Sequence, residues 1–184
     1  SSKILLYITD IEAMGYKTLY VKKEDESFTP IKLSDITENS EIENDILKVK
    51  ISQNGEVSIF NKINQKEIKG SLIFEDSGDD GDTYDYSEPR KDWVLHSDKH
   101  GIKNIRVQKS DIISILSYTA ILEVPADLKE REQHIVSKKM DVNVKITLEK
   151  GSDLLKADVE LENTAIEHRV RVLFKTGIDS EFSV

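Results

Sequence analysis

Polar and apolar residues alternate with a period of two through much of this chain, and that pattern constrains its fold more than any other feature. Lys48-Val49-Lys50-Ile51-Ser52 alternates, as do Val142-Asn143-Val144-Lys145-Ile146-Thr147-Leu148 and Lys156-Ala157-Asp158-Val159-Glu160-Leu161-Glu162. Successive side chains of a strand point to opposite faces, so each run offers one face to a core and one to water. His168-Arg169-Val170-Arg171-Val172-Leu173-Phe174 starts the same way and then loses the alternation. That loss predicts burial on both faces at its end. Asn54-Gly55 separates residues 47–52 from 57–60, and this dipeptide is the strongest short hairpin signal available. Lys150-Gly151-Ser152-Asp153 predicts a second hairpin between two long alternating runs. Residues 61–65 are polar and predict a turn before a strand near 68–74. Further strands are predicted at 4–9, 16–22, 102–109 and 111–124.

Helix signals are weak. Pro125-Ala126-Asp127-Leu128-Lys129-Glu130-Arg131 has room for one turn, without the length or apolar stripe of a packed helix. Many short strands and almost no helix predict an all-β chain built as an antiparallel β-sandwich. Residues 24–44, rich in Glu, Asp, Ser and Thr, read as a linker from a small N-terminal β-hairpin to the main body. Residues 1–38 are therefore read as a small β unit with its linker, and 39–184 as the sandwich. Residues 75–92 are rich in Asp, Gly and Tyr and read as a loop, too polar for a core strand.

The rest of the composition narrows the function classes. The formal charge of −9 disfavours phosphate backbones and anionic membrane surfaces, so neither nucleic acid nor membrane is an expected partner. The absence of cysteine excludes disulfides, thiolate zinc sites and thiol nucleophiles within these residues, and suits a reducing compartment such as the cytoplasm. Ile4-Leu5-Leu6-Tyr7-Ile8 is too short for a signal-peptide core or a bilayer span. The chain begins beside that strand-like run and ends at Phe182-Ser183-Val184 without a polar tail. Both ends read as cuts in a longer protein, with the sandwich truncated at its C-terminal end.

Candidate chemistry centres on the stretch from Glu75 to Tyr86. Its dense carboxylates invite a calcium reading, but with Gly81 at the sixth position of an EF-hand loop the third would be Gly78 and the twelfth Ser87. Neither supplies a carboxylate, so the stretch reads as a solvated loop. Two carboxyls on one such loop are also poorly placed to face each other across a glycosidic bond. His96 and His100 are four apart, a zinc spacing on a helix, yet Gly101 and strand-like neighbours argue for scattered histidines. His134 and His168 read as structural. Arg169 and Arg171 share one face of a strand by alternation. Trp93, the lone tryptophan, reads as a core aromatic.

Several segments carry a resemblance. Ile42-Glu43-Asn44-Asp45-Ile46-Leu47-Lys48-Val49, with Asn54-Gly55-Glu56-Val57-Ser58-Ile59-Phe60-Asn61-Lys62, resembles the opening of the sandwich region of glycoside hydrolase family 38 α-mannosidases. Gly81-Asp82-Thr83-Tyr84-Asp85-Tyr86-Ser87-Glu88-Pro89 is similar to the family's Asp/Gly/Tyr loop. Glu162-Asn163-Thr164-Ala165-Ile166-Glu167-His168-Arg169-Val170-Arg171-Val172-Leu173-Phe174 is similar to a later strand of that region. Ala13-Met14-Gly15-Tyr16 is similar to a segment that follows the family's helical bundle, with Glu12 where the family has proline. The likeness runs in order along nearly the whole chain and is nearest to bacterial members, mannosylglycerate hydrolases among them.

The resemblance implies a galactose-mutarotase-like supersandwich in an enzyme that cleaves α-mannosidic bonds with retention. It implies an Asp nucleophile and a zinc ion held by two His and two Asp in an N-terminal α/β domain, none of whose motifs occurs here. The sandwich would bind no cofactor itself and be inactive alone. Its partners would be that catalytic domain, the helical bundle and a mannoside. It also implies that a tyrosine from an early sandwich loop approaches the sugar. The matching motif is Tyr84, Tyr86 and Pro89, which makes Tyr84, Tyr86 and Asp82 the substrate-proximal candidates. The alternative is a stand-alone carbohydrate-binding module, whose aromatic platform would come from Trp93, Tyr84, Tyr86 and Tyr118.

Overall fold

The computed structural model describes Leu6, Ile8 and residues 10–20, 32–36, 40–82 and 84–178. The chain divides into two compact units, Ser1–Lys32 and Leu33–Val184.

In the first unit no described residue lies in a strand. Residues 16–20 were expected to open a strand at 16–22 and are instead irregular and exposed; 21 and 22 lie outside the described residues. Of the strand expected at 4–9, only Leu6 and Ile8 are described, and neither is paired. Ala13 and Met14 form a turn closed by a 2.9 Å hydrogen bond from Gly15 N to Glu12 O. For residues 16–20 the physical reason is local: a strand is held by a paired neighbour, and a turn alone supplies none.

The second unit is nearly all strand. In chain order these are β1 (Ser34–Ile36), β2 (Glu41–Glu43), β3 (Leu47–Ile51), β4 (Val57–Asn61), β5 (Lys66–Ser71), β6 (Ile73–Gly78), β7 (Leu95–His96), β8 (Ile102–Lys109), β9 (Ile113–Val124), β10 (Lys138–Glu149), β11 (Leu155–Leu161) and β12 (His168–Leu173). Among the described residues one α-helix, α1 (Leu128–Glu132), lies between β9 and β10, and one 3-10 turn, Ser97–Lys99, follows β7. The strands form three antiparallel sheets, ordered β1-β8-β9-β10-β11, β2-β3-β4-β5 and β12-β6-β7.

The alternation seen in the sequence sets the core directly. Along β10, Met140, Val142, Val144, Ile146 and Leu148 are buried, and Lys139, Asp141, Asn143 and Lys145 between them face water. β9 pairs with it in register from Lys138↔Val124 to Glu149↔Ile113 and adds Leu116, Tyr118, Ala120, Leu122 and Val124. Ile42, Val49, Ile51 and Val57 of the four-stranded sheet, and Phe74 of the three-stranded sheet, join the same cluster. One core thus lies between the sheets, as in a β-sandwich. Each large aliphatic side chain buried there contributes about 1.5–3 kcal/mol.

The turns follow their chemistry. Gly55 and Gly151 both adopt positive φ at the predicted hairpins. At the predicted polar turn, Asn61 Oδ1 accepts from Ile63 N (2.9 Å) and Asn64 N (3.2 Å). Asn44 joins two turns: its Oδ1 accepts from Ile46 N and Leu47 N, and its Nδ2 donates to Glu149 O and Ser152 O.

Two expectations fail. The strand near 68–74 is two strands broken at Leu72, where φ is 57°, and the second continues through Gly78 into the stretch read as loop. That extension survives because Asp76, fully buried, has charged partners. β12 is not buried on both faces at its end: Val172 is 38% exposed and Phe174 56%. Among the described residues β12 stands at the edge of its sheet, paired with β6, so its last side chains lack a strand neighbour on one side.

Candidate functional site

The predicted tyrosine loop leaves the sheet at Gly78, the chain re-enters it at Leu95, and the stem, where Gly78 meets Asp92, is built around a buried ion pair. β6 continues the period of two, so Phe74, Asp76 and Gly78 share the core face. Val170 lies opposite Asp76, and His168 opposite Gly78, on β12. The Asp76 carboxylate therefore reaches both the Arg131 guanidinium and the His168 ring. Arg131 Nη2 donates to its Oδ2, and His168 Nδ1 lies 2.5 Å from its Oδ1. The three side chains are 0–3% exposed. His168 Nε2 lies 2.9 Å from Asn163 Oδ1.

Arg131 is aimed inward by a well-capped short helix. Asp127 accepts from Glu130 N at 2.8 Å, and Glu130 Oε2 accepts from Ala126 N at 2.8 Å. The other Arg131 terminal nitrogen, Nη1, donates to Trp93 O at 2.5 Å and lies 3.6 Å from Asp92 Oδ1. That carboxylate oxygen in turn accepts from Gly78 N (2.9 Å) and Trp93 N (2.7 Å). Gly78 has no room for a side chain: a Cβ would stand 2.6 Å from Pro89 Cγ and 2.9 Å from Arg131 Cδ. The motif proline is thus a buried stop against the strand end.

The loop beyond the stem is ordered by its own carboxylates. Asp79 Oδ1 accepts from Gly81 N (2.9 Å) and Ser87 N (3.1 Å). Asp82 Oδ1 accepts from Tyr84 N (2.8 Å) and Asp85 N (3.0 Å). Those two backbone amides hold the Asp82 carboxyl below the usual carboxylate range. Gly81 is obligatory, since a Cβ would fall 1.8 Å from Asp85 O. Tyr84 projects from this turn with 91% of its surface exposed. Tyr86 lies back on the sheet, with the Arg169 guanidinium 3.6 Å from its ring centroid.

Beside Tyr86 a charged row crosses the outer face of the small sheet. Arg171, Glu75 and His96 are successive cross-strand neighbours on β12, β6 and β7. Arg171 Nη2 donates to Glu75 Oε1, and His96 Nε2 lies 3.1 Å from Glu75 Oε2. Burial works against the charged form of Glu75. The hydrogen bonds from His96 and Arg171, with their charges, outweigh it and hold the carboxyl below its ordinary value.

The other sequence candidates are separated. His100 faces Glu123 at 3.5 Å, away from the His96–Glu75 pair, so the two histidines do not share a ligand position. Among the described residues no three His, Asp or Glu side chains converge as a metal would need, so this chain's described residues do not fit a zinc site. Trp93, read as core, is only half-buried, its ring 4.9 Å from that of His134. Tyr118, offered as part of an aromatic platform, is 2% exposed inside the core, and burial pushes its phenol well above the usual range. The sequence reading missed the Asp76–Arg131–His168 cluster. Its one signal was the period of two running on from Phe74 to Asp76.

The C-terminal domain model of the glycosyl hydrolases family 38 matches residues 42–184. The chain belongs to that family. This family 38 domain is 31% identical over 150 residues to a protein of Halalkalibacterium halodurans that carries the name mannosylglycerate hydrolase; the match takes in 72% of the chain and 17% of that protein. Two solved structures from Enterococcus faecalis share its fold. One is described as an alpha-mannosidase, with a TM-score of 0.70, 23% identity and coverage of 83% of this chain and 19% of the other. The second is described as a protein in glycosyl hydrolase family 38, with a TM-score of 0.69, 22% identity and coverage of 85% and 21%. The family 38 domain therefore spans about a fifth of the length of these relatives. Among its described residues no helix is long and apolar enough to cross a membrane.

Proposed function

We propose that this chain is the non-catalytic sandwich of a retaining α-mannosidase, buttressing the catalytic domain and lining one wall of its cleft. The observation that carries the reading is a tyrosine loop whose stem is locked by buried charges while Tyr84 at its tip is 91% exposed. A phenol held out in this way donates to or accepts from a sugar hydroxyl without costly ordering of the loop on binding.

On this reading the nucleophile, the acid/base group and the zinc belong to an N-terminal α/β domain, joined through a helical bundle. The name of the Halalkalibacterium relative adds mannosylglycerate to the α-mannosides the whole protein would cleave. Residues 6–20 support a large neighbouring body. Leu6 is 56% exposed, Ile11 50%, Tyr16 92% and Tyr20 85%, apolar surface of the kind a partner domain covers. The absence of cysteine supports a cytoplasmic setting.

The test is Tyr84→Phe in the full-length protein, assayed on an aryl α-mannoside. Loss of one neutral hydrogen bond to the substrate predicts a KM about two- to tenfold higher at nearly constant kcat. A variant with both constants unchanged would place Tyr84 outside the cleft.

A further inference from the structure

We infer that Arg131 is the positioning residue of the tyrosine loop: its buried guanidinium ties β6 to the loop's return at Asp92 and Trp93, so that Tyr84 and Tyr86 are presented in one conformation. The inference rests on the reading that this loop lines the substrate cleft.

Arg131 has the reach and geometry for this. A guanidinium is a rigid planar fork, and each of its two ends can serve a different partner. Nη2 is given to Asp76 on β6, and Nη1 to Trp93 O, just past the loop. Asp92 completes the clamp by accepting from Gly78 N at the loop's departure and Trp93 N at its return. The two ends of the loop are thereby bound through one carboxylate that itself lies beside Arg131. Order then passes outward. Asp80 N donates to Ser87 O at 2.8 Å, Asp79 joins Gly81 to Ser87, and Asp82 folds the turn beneath Tyr84.

A purely structural residue would look different. The side-chain partners of Arg131, namely Asp76, Asp92 and Trp93, all lie at the foot of this loop. A lysine in its place would keep the charge. It would lose the fork, because one ammonium cannot hold Asp76 and Trp93 O in the same geometry.

The experiment uses the full-length protein carrying Arg131→Lys, and separately Asp92→Ala, which removes the oxygen that accepts from Gly78 N and Trp93 N and leaves the Arg131–Asp76 pair in place. Two readouts are taken together: peptide-resolved amide hydrogen exchange, and hydrolysis of 4-nitrophenyl α-D-mannoside. The expected result in both variants is exchange at residues 79–92 faster by about tenfold or more, with residues 138–149 as protected as in the wild type. KM rises several-fold at constant kcat, and Tyr84→Phe adds nothing further on the Arg131→Lys background. A structural defect alone would lower apparent kcat through lost folded enzyme and leave KM unmoved. Unchanged exchange at 79–92 overturns the inference, as does an equal rise at 138–149. If Arg131→Lys does not fold, Asp92→Ala decides by the same criteria. A loosened loop with unchanged KM in the Asp92→Ala protein overturns the cleft-lining reading itself, and the positioning role falls with it.

Discussion

Asp76 sits in a fully buried position that most proteins give to an apolar side chain, and it is stable there only because Arg131 and His168 both reach it. Removing one member of such a cluster leaves buried polar partners without their hydrogen bonds, which is why its residues act as a unit. Glu75, one position earlier, faces the other way and carries the surface counterpart: Arg171 on one side, His96 on the other. Its folded-state carboxyl lies below its unfolded value, about 4.3. A depressed acid stabilises the fold above its unfolded pKa and loses that contribution as pH falls through its folded pKa. Glu75→Gln should therefore lower the melting temperature at pH 7, and the gap to the wild type should close below about pH 4.3. Melting curves at pH 7 and pH 3 check this, and a gap that persists or widens in acid would contradict the assignment.

At the scale of elements, the sandwich was legible wherever one face is wet and the other dry. β10 is the plainest case, with five buried apolar side chains alternating with exposed polar ones. The hairpins at Gly55 and Gly151 were legible because only a few residue types favour their positive φ. β6 was not, because a buried Asp76 looks like loop composition until its partners are known, and those lie 55 and 92 positions away. The end of β12 misled for the opposite reason. Val172, Leu173 and Phe174 are apolar, but an edge strand leaves them partly uncovered. Within the candidate site, the tyrosine loop itself was marked by its composition and motif, whereas its clamp was invisible. Asn44 is an element-scale joint of the same hidden kind, since it bonds the turn after β2 to the turn between β10 and β11. Asn44→Ala should cost about 1–3 kcal/mol, read as a lower urea midpoint at unchanged slope. A midpoint within error of the wild type would mean that those bonds are exchanged freely with water.

For the molecule as a whole, packing and chemistry lie in different places. The core, the sheet order and the match over residues 42–184 all concern packing, which this chain contains in full view. Hydrolysis of a glycosidic bond needs two carboxyl groups facing each other across the sugar. Two carboxylates of the tyrosine loop, Asp79 and Asp82, are instead turned to backbone amides. A chain that spans about a fifth of its relatives is on this account a wall of the site and not its chemical centre. The most direct test compares hydrolysis of an aryl α-mannoside by the 184-residue chain and by the full-length protein, each with and without added zinc. The account predicts turnover by the full-length protein only, and turnover by the 184-residue chain alone would contradict it.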